Sequence, residues 1–123
     1  MPPRILVCDN EEALRDLVRA SLSGNGYEIE EARDGDEALA LARDTKPDLV
    51  LLDMMMPGRS GLDVLAELRA DPELAETRVV MLTARTQAAD REAAAEAGAD
   101  RFLTKPFSPL QLAALVEEML AEP

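Results

Sequence analysis

Short, uninterrupted apolar runs alternate along the chain with stretches of helical periodicity. Ile5, Leu6, Val7 and Cys8 form the first run and stop at Asp9, Asn10, Glu11 and Glu12; Leu49, Val50, Leu51 and Leu52 stop in the same way at Asp53. Val79, Val80, Met81 and Leu82 end in Thr83, and Arg101, Phe102, Leu103 and Thr104 end in Lys105 and Pro106. Runs of this kind predict strands covered on both faces. A fifth strand is predicted over 27–31, introduced by the turn Gly24-Asn25-Gly26 and closed by Asp34-Gly35. Its polar alternation predicts a sheet edge.

Between the strands, apolar residues recur every three or four positions: Leu14, Leu17, Val18 and Leu22; Ala38, Leu39 and Ala42; Leu62, Leu65 and Leu68; Leu112, Val116, Met119 and Leu120. Each set predicts one buried helix face. The stretch 87–97 offers alanines but no Leu, Ile, Val or Phe, which predicts a weakly anchored helix. Continuous apolar strands alternating with helices predict an α/β fold with a parallel sheet. Pro57-Gly58, Asp71-Pro72 and Lys105-Pro106 punctuate loops, and no linker or repeat divides the chain, so 1–123 is read as a single domain.

Composition narrows the chemistry. With 13 Lys and Arg against 25 Asp and Glu, the formal charge is −12, which repels phosphate backbones and anionic lipid; neither direct nucleic-acid binding nor a membrane surface is expected for this segment. The apolar content of 47% is too high for a disordered acidic tail. Histidine is absent and Cys8 is the single cysteine, which removes zinc-hydrolase and Ser-His-Asp chemistry as well as an intramolecular disulfide. No signal-peptide or membrane-spanning pattern is present, and a cytoplasmic location is expected.

In an open parallel sheet, ligands collect at the carboxyl ends of the strands. The residues expected there are Asp9, Asn10, Asp53, Thr83 and Lys105. Carboxylates and an amide beside a lysine, with no histidine, suit a hard, oxygen-seeking cation of the magnesium type. Taken singly, an aspartate at a strand end is as readily a helix cap, and a lysine a solvated one; the combination carries the signal.

The same residues resemble a known family, the receiver domains of bacterial two-component response regulators. Ile5 to Glu11 looks like its first strand and acidic pair, and the stretch from Pro47 through Asp53 to Gly58 like its phosphoacceptor strand and loop, continued by Ser60-Gly61-Leu62-Asp63. Met81-Leu82-Thr83-Ala84 resembles the switch threonine with its small neighbour, and Gly98 to Phe107 the switch aromatic and the lysine-proline segment. The resemblance implies a flavodoxin-like (βα)5 fold, doubly wound, with five parallel strands in the order 2-1-3-4-5. It implies Asp53 as the phosphoryl acceptor in a phosphorelay, with Mg2+ held by Asp9, Asn10, Asp53 and the main-chain carbonyl of Met55. Lys105 would pair first with Asp53 and then with the phosphoryl group, Thr83 would bond a phosphoryl oxygen, and Phe102 would turn inward as the Thr83 loop moves. Lys105-Pro106 would be a cis peptide. The protein would catalyse only its own phosphorylation and dephosphorylation.

The family's usual second acid is replaced by Asn10, which keeps an oxygen ligand but removes one formal charge. That substitution is the support for a different reading, a pseudo-receiver acting as a phosphorylation-independent interaction domain. A flavodoxin-like nucleotide binder is a third reading, but its phosphate loop calls for hydroxyls and glycines where Asp9-Asn10-Glu11-Glu12 stands. The expected partners are a sensor histidine kinase or phosphotransfer protein and a downstream output domain or protein. Leu82-Thr83-Ala84-Arg85 and the segment from Lys105 to Leu110 look most like receivers that precede winged-helix DNA-binding domains. Ending at Pro123, the chain is expected to be either a stand-alone receiver or part of a longer regulator. The last helix carries acids and no arginine, which lowers the expectation of the dimer such relatives form.

Overall fold

The strand most thoroughly removed from solvent is β3 (Leu49–Asp53), buried at all five positions. In the computed structural model it lies at the centre of a five-stranded sheet ordered β2-β1-β3-β4-β5, all neighbours parallel. The remaining elements follow in strict alternation: β1 (Arg4–Cys8), α1 (Glu12–Leu22), β2 (Glu28–Ala32), α2 (Gly35–Thr45), then α3 (Gly61–Ala70), β4 (Arg78–Ala84), α4 (Ala88–Glu96), β5 (Arg101–Lys105) and α5 (Pro109–Ala121). The structure describes residues 2–84 and 88–121; Arg85, Gln87 and Pro123, named above, lie outside them.

Successive side chains of a strand point to opposite faces, so each apolar run feeds two cores at once. Leu6, Cys8, Val50, Leu52, Val79 and Met81 face Ala38, Leu39 and Ala42 of α2 and Val64, Leu65 and Leu68 of α3. Ile5, Val7, Leu49, Leu51, Val80 and Leu82 face Val18 and Leu22 of α1 and Leu112, Val116 and Met119 of α5. Truncating one such residue, Leu51→Ala for example, costs about 2–5 kcal/mol by lost burial and the cavity left behind. Among the described residues no helix is long and apolar enough to cross a membrane.

The predicted boundaries move in two places, each for a local reason. β2 runs one residue later than predicted because its ladder with β1 begins at Arg4↔Glu28 and ends at Cys8↔Ala32. Asp34-Gly35 does not merely close that strand: Asp34 caps α2 by accepting the Glu37 N–H at 2.8 Å, and Gly35 is the first helical residue. α3 is started by a reciprocal capping box between Ser60 and Asp63.

Helix α4 buries only Ala94 in its span, whereas α1, α2, α3 and α5 each bury three or four residues. A methyl group removes little apolar area from water, so α4 is the element docked with the least stabilisation. Its amides are expected to exchange at least about tenfold faster than those of β1 and β3, equivalent to about 1.4 kcal/mol in opening free energy. Hydrogen exchange followed residue by residue checks this, and protection equal to that of the central strands contradicts it.

Candidate functional site

Strand order reverses at β1: the chain steps out to β2 on one side and resumes with β3, β4 and β5 on the other. The crevice at that reversal lies beyond the carboxyl ends of β1 and β3. Asp53 is the last residue of β3 and Asp9 immediately follows β1, whose Cys8 pairs with Leu52. The two acids therefore emerge side by side, Asp9 with no exposed surface and Asp53 with 5%.

Lys105, the last residue of β5, reaches across to both: its Nζ donates to Asp9 Oδ2 at 2.8 Å and to Asp53 Oδ1 at 3.2 Å. The expectation that it pairs first with Asp53 is thus refined, because the ammonium bridges the acids and lies nearer Asp9. The Lys105-Pro106 bond is cis, as the resemblance implies. Burial disfavours the Lys105 cation, but its bond to Asp9 and the charges of Asp53 and Asp9 outweigh that, leaving its pKa above the ordinary lysine value. Asp53 is pushed above the ordinary carboxylate value by burial and then by the Asp9 charge, against which the Lys105 contacts do not suffice. The pocket thus holds more negative charge than one ammonium balances.

The loop after β3 is shaped by close backbone approach. The Met54 N–H donates to Leu82 O at 3.1 Å, the Gly61 N–H to Met54 O at 3.0 Å, and the Met55 N–H points at Asp53 Oδ1 from 3.4 Å. A Cβ on Gly61 would stand 2.3 Å from the Asp53 carbonyl oxygen, so only glycine lets α3 begin there. Gly61 was within the motif read from the sequence, yet nothing in the pattern gave it this role; the signal was a glycine directly after a capping serine.

Thr83 lies near the end of β4, beside β3, where its residue Leu82 pairs with Asp53. Its Oγ1 is buried without a hydrogen-bond partner among the described residues. Leaving such a hydroxyl unsatisfied costs about 1–3 kcal/mol, which an acceptor oxygen arriving in the crevice would return. Ala84 follows it, a side chain too small to fill the entrance. Phe102 of β5 is partly buried, with the Arg91 guanidinium of α4 5.4 Å from its ring centre.

Asn10 and Met55 are both exposed at the mouth of the crevice, Met55 at 62%. The buried donors are two carboxylates, and among the described residues no third His, Cys, Asp or Glu joins them in a metal-binding cluster. This all-oxygen set fits a hard divalent cation that keeps several waters. Cys8 does not compete for it: burial, then the charges of Asp9 and Asp53, push its thiol up to about 12, and its Sγ lies 3.2 Å from Met56 Sδ inside the core.

Comparison with known proteins identifies relatives over nearly the whole chain. The response regulator receiver domain family matches residues 5–117. The chain is 45% identical over 120 residues to the response regulator MprA of Mycobacterium sp. (strain KMS), covering 98% of this chain and 51% of that protein. To the DNA-binding response regulator MtrA of Mycobacterium leprae it is 42% identical, with 98% and 52% covered. The chain therefore spans about half the length of these relatives. Among solved structures, a putative response regulator from Chloroflexus aurantiacus J-10-fl superposes with a TM-score of 0.92 at 32% identity, covering 99% of this chain and 100% of that one. The chemotaxis response regulator CheY4 of Vibrio cholerae gives 0.90 at 30% identity, covering 97% and 99%. The chain belongs to the response regulator receiver domain family.

Proposed function

We propose that the chain is a phosphorylatable switch of a two-component phosphorelay, accepting a phosphoryl group on Asp53 from a sensor histidine kinase or phosphotransfer protein, or from a small phosphodonor. The observation that carries this reading is the convergence of Asp9, Asp53 and Lys105 within 3.2 Å contacts at the sheet's reversal point, beside a Thr83 hydroxyl with no partner among the described residues. An Asp53 carboxylate oxygen attacks phosphorus, an O–P bond forms, and the donor's bond to phosphorus breaks with the electron pair leaving on the donor. Such a transfer needs positioning and charge balance more than covalent assistance.

Asp9, Asp53, the amide oxygen of Asn10 and the Met55 carbonyl would hold magnesium. When bound, magnesium neutralises charge on the phosphoryl oxygens. Lys105 then meets a phosphoryl oxygen in place of one carboxylate contact, and Thr83 donates to another, so the arrival of one group satisfies both side chains. Thr83 moving toward that oxygen leaves space for the Phe102 ring, which would carry the event to the face formed by α4 and β5. An output domain or protein would read this face.

Incubation with magnesium and acetyl phosphate is expected to add one phosphoryl group, located on Asp53 by mass spectrometry and absent from Asp53→Asn. Phosphoryl mass persisting in Asp53→Asn contradicts the assignment.

The Asp53 environment also fixes a sign for stability. A carboxyl group that holds its proton more tightly when folded contributes stability below its ordinary pKa, and that contribution is lost as pH rises through its folded value. As pH rises past the ordinary carboxylate range, Asp53 therefore contributes increasingly against folding. In chelator at pH 7, Asp53→Asn is expected to melt a few degrees above the wild type, with the gap narrowing as the pH falls into the carboxylate range. Thermal melts across that range check it; an Asp53→Asn melting point at or below the wild type at neutral pH contradicts it.

Asn10→Asp restores a third acid. It is expected to bind magnesium about tenfold more tightly and to melt lower in chelator, since a further negative charge crowds the pocket. Unchanged affinity together with undiminished stability would place Asn10 outside the metal site.

A further inference from the structure

Helix α1 turns an arginine toward the core. Its buried stripe runs through Val18 and Leu22, and three positions before Val18 on the same face stands Arg15, itself buried. A guanidinium withdrawn from water requires acceptors for its donors. Arg15 Nη1 donates to the main-chain oxygen of Asp9 at 2.7 Å, and Nε to Glu31 Oε1 on β2 at 3.1 Å. The other Glu31 oxygen is taken by Arg19 Nε at 3.0 Å, and Arg19 Nη2 continues to Ile29 O, also on β2.

Asp9 is consequently held at four points. Its N–H donates to Ala32 O at 3.1 Å, its Oδ1 accepts the Glu11 N–H at 2.8 Å, its Oδ2 accepts Lys105, and its carbonyl accepts Arg15. Of these, the Arg15 bond acts on the rigid peptide joining Asp9 to Asn10. The orientation of that plane sets where Asn10 begins and how the Asp9 carboxylate is aimed.

We infer that Arg15 is a positioning residue of the acidic pocket: braced by Glu31, it fixes the Asp9–Asn10 peptide and so presents both side chains to the divalent cation. The inference rests on the magnesium reading proposed above. Loss of Arg15 has two effects of opposite sign. Removing a positive charge beside an acidic pocket tightens a divalent cation, whereas releasing the peptide weakens it. Alignment dominates, because the Arg15 bond to the Asp9 carbonyl is direct, while its charge is already offset in part by Glu31, which it shares with Arg19.

The test is a magnesium titration of the full chain by calorimetry and by the Glu11 amide resonance, well below each melting point, for the wild type, Arg15→Met, Arg15→Lys and Arg19→Met. Arg15→Met is expected to bind magnesium at least about tenfold more weakly, as loss of an outer-shell partner does. Arg15→Lys keeps the charge but not the fork, and is expected to be weakened by less. Arg19→Met, which loses the same charge and the same Glu31 partner, is expected to bind at least as tightly as the wild type. The Glu11 resonance is expected to shift in the Arg15 variants beyond any shift in Arg19→Met. Wild-type affinity in Arg15→Met, or tighter binding there, overturns the inference and leaves the magnesium reading standing. Should Arg15→Met fail to fold, Arg15→Lys decides, and wild-type affinity in that variant overturns the inference. Absence of saturable magnesium binding by the wild type removes the magnesium reading and the inference together.

Discussion

Two buried carboxylates share one ammonium at the end of the sheet, and the rest of the molecule is arranged around that imbalance. Asp9 and Asp53 repel each other across a crevice from which water is largely excluded, and Lys105 offsets part of the repulsion by bridging them. Burial first, and then the Asp9 charge that one lysine does not fully offset, keep the Asp53 pKa above the ordinary value even with the ammonium in contact. A pocket in this condition is stabilised by an added cation. Under the proposed function, the neutralised pocket accepts a phosphoryl group that a bare acidic cluster would repel. On the proposed reading, the same crowding that weakens the empty fold is what makes the site responsive.

The fold supplies the imbalance through its topology. Asp9 and Asp53 are 44 positions apart in sequence and become neighbours because β1 and β3 pair, with Cys8 opposite Leu52. Lys105 arrives from the far edge strand, so its long side chain spans the end of β4 to reach them. β1 and β3, buried on both faces, hold the two acid-bearing ends rigidly, while the glycine at position 61 allows α3 to begin against the Asp53 carbonyl. The candidate site is therefore spread over three strand ends that local sequence does not connect.

Much of this was legible before any coordinates, for reasons that can be named. A run such as Leu49 to Leu52 has few alternatives to a central strand, and the polar residue that ends it is forced to the strand's carboxyl end, so Asp53, Asp9, Thr83 and Lys105 announced themselves. The divided cores followed from period two alone. What stayed illegible depends on pairwise distance. That Lys105 bridges both acids follows from the lateral order of strands and the reach of its side chain. Gly61 is required by an approach between two backbones, which no periodicity encodes. Arg15 was hidden by its charge: the helical stripe through Leu14, Leu17, Val18 and Leu22 was drawn from apolar residues only, so a cation on the same face went unread. Its position three residues before Val18 was the available signal.

The far side of the molecule shows a complementary asymmetry. Helix α4 buries little along its length, yet its carboxyl end is firmly tied. Arg69 of α3 donates from Nε and Nη2 to Gly98 O at 3.1 and 2.8 Å, from Nη1 to Thr77 O at 2.6 Å, and from Nη2 to Asp100 Oδ2 at 3.0 Å; that same Asp100 oxygen accepts the Val79 N–H. These bonds fix the turn into β5 and with it the start of the strand that carries Phe102 and Lys105. An element anchored at one end and weakly packed along its body responds to a push as a lever, by rotation about the anchored end rather than by translation. The Thr83 hydroxyl, buried without a partner among the described residues, gains a hydrogen bond on the proposed reading by moving toward a phosphoryl oxygen. On the proposed reading, a rearrangement at the acidic pocket meets its least resistance in α4, which buries only Ala94, while the bonded turn at Gly98 holds the start of β5.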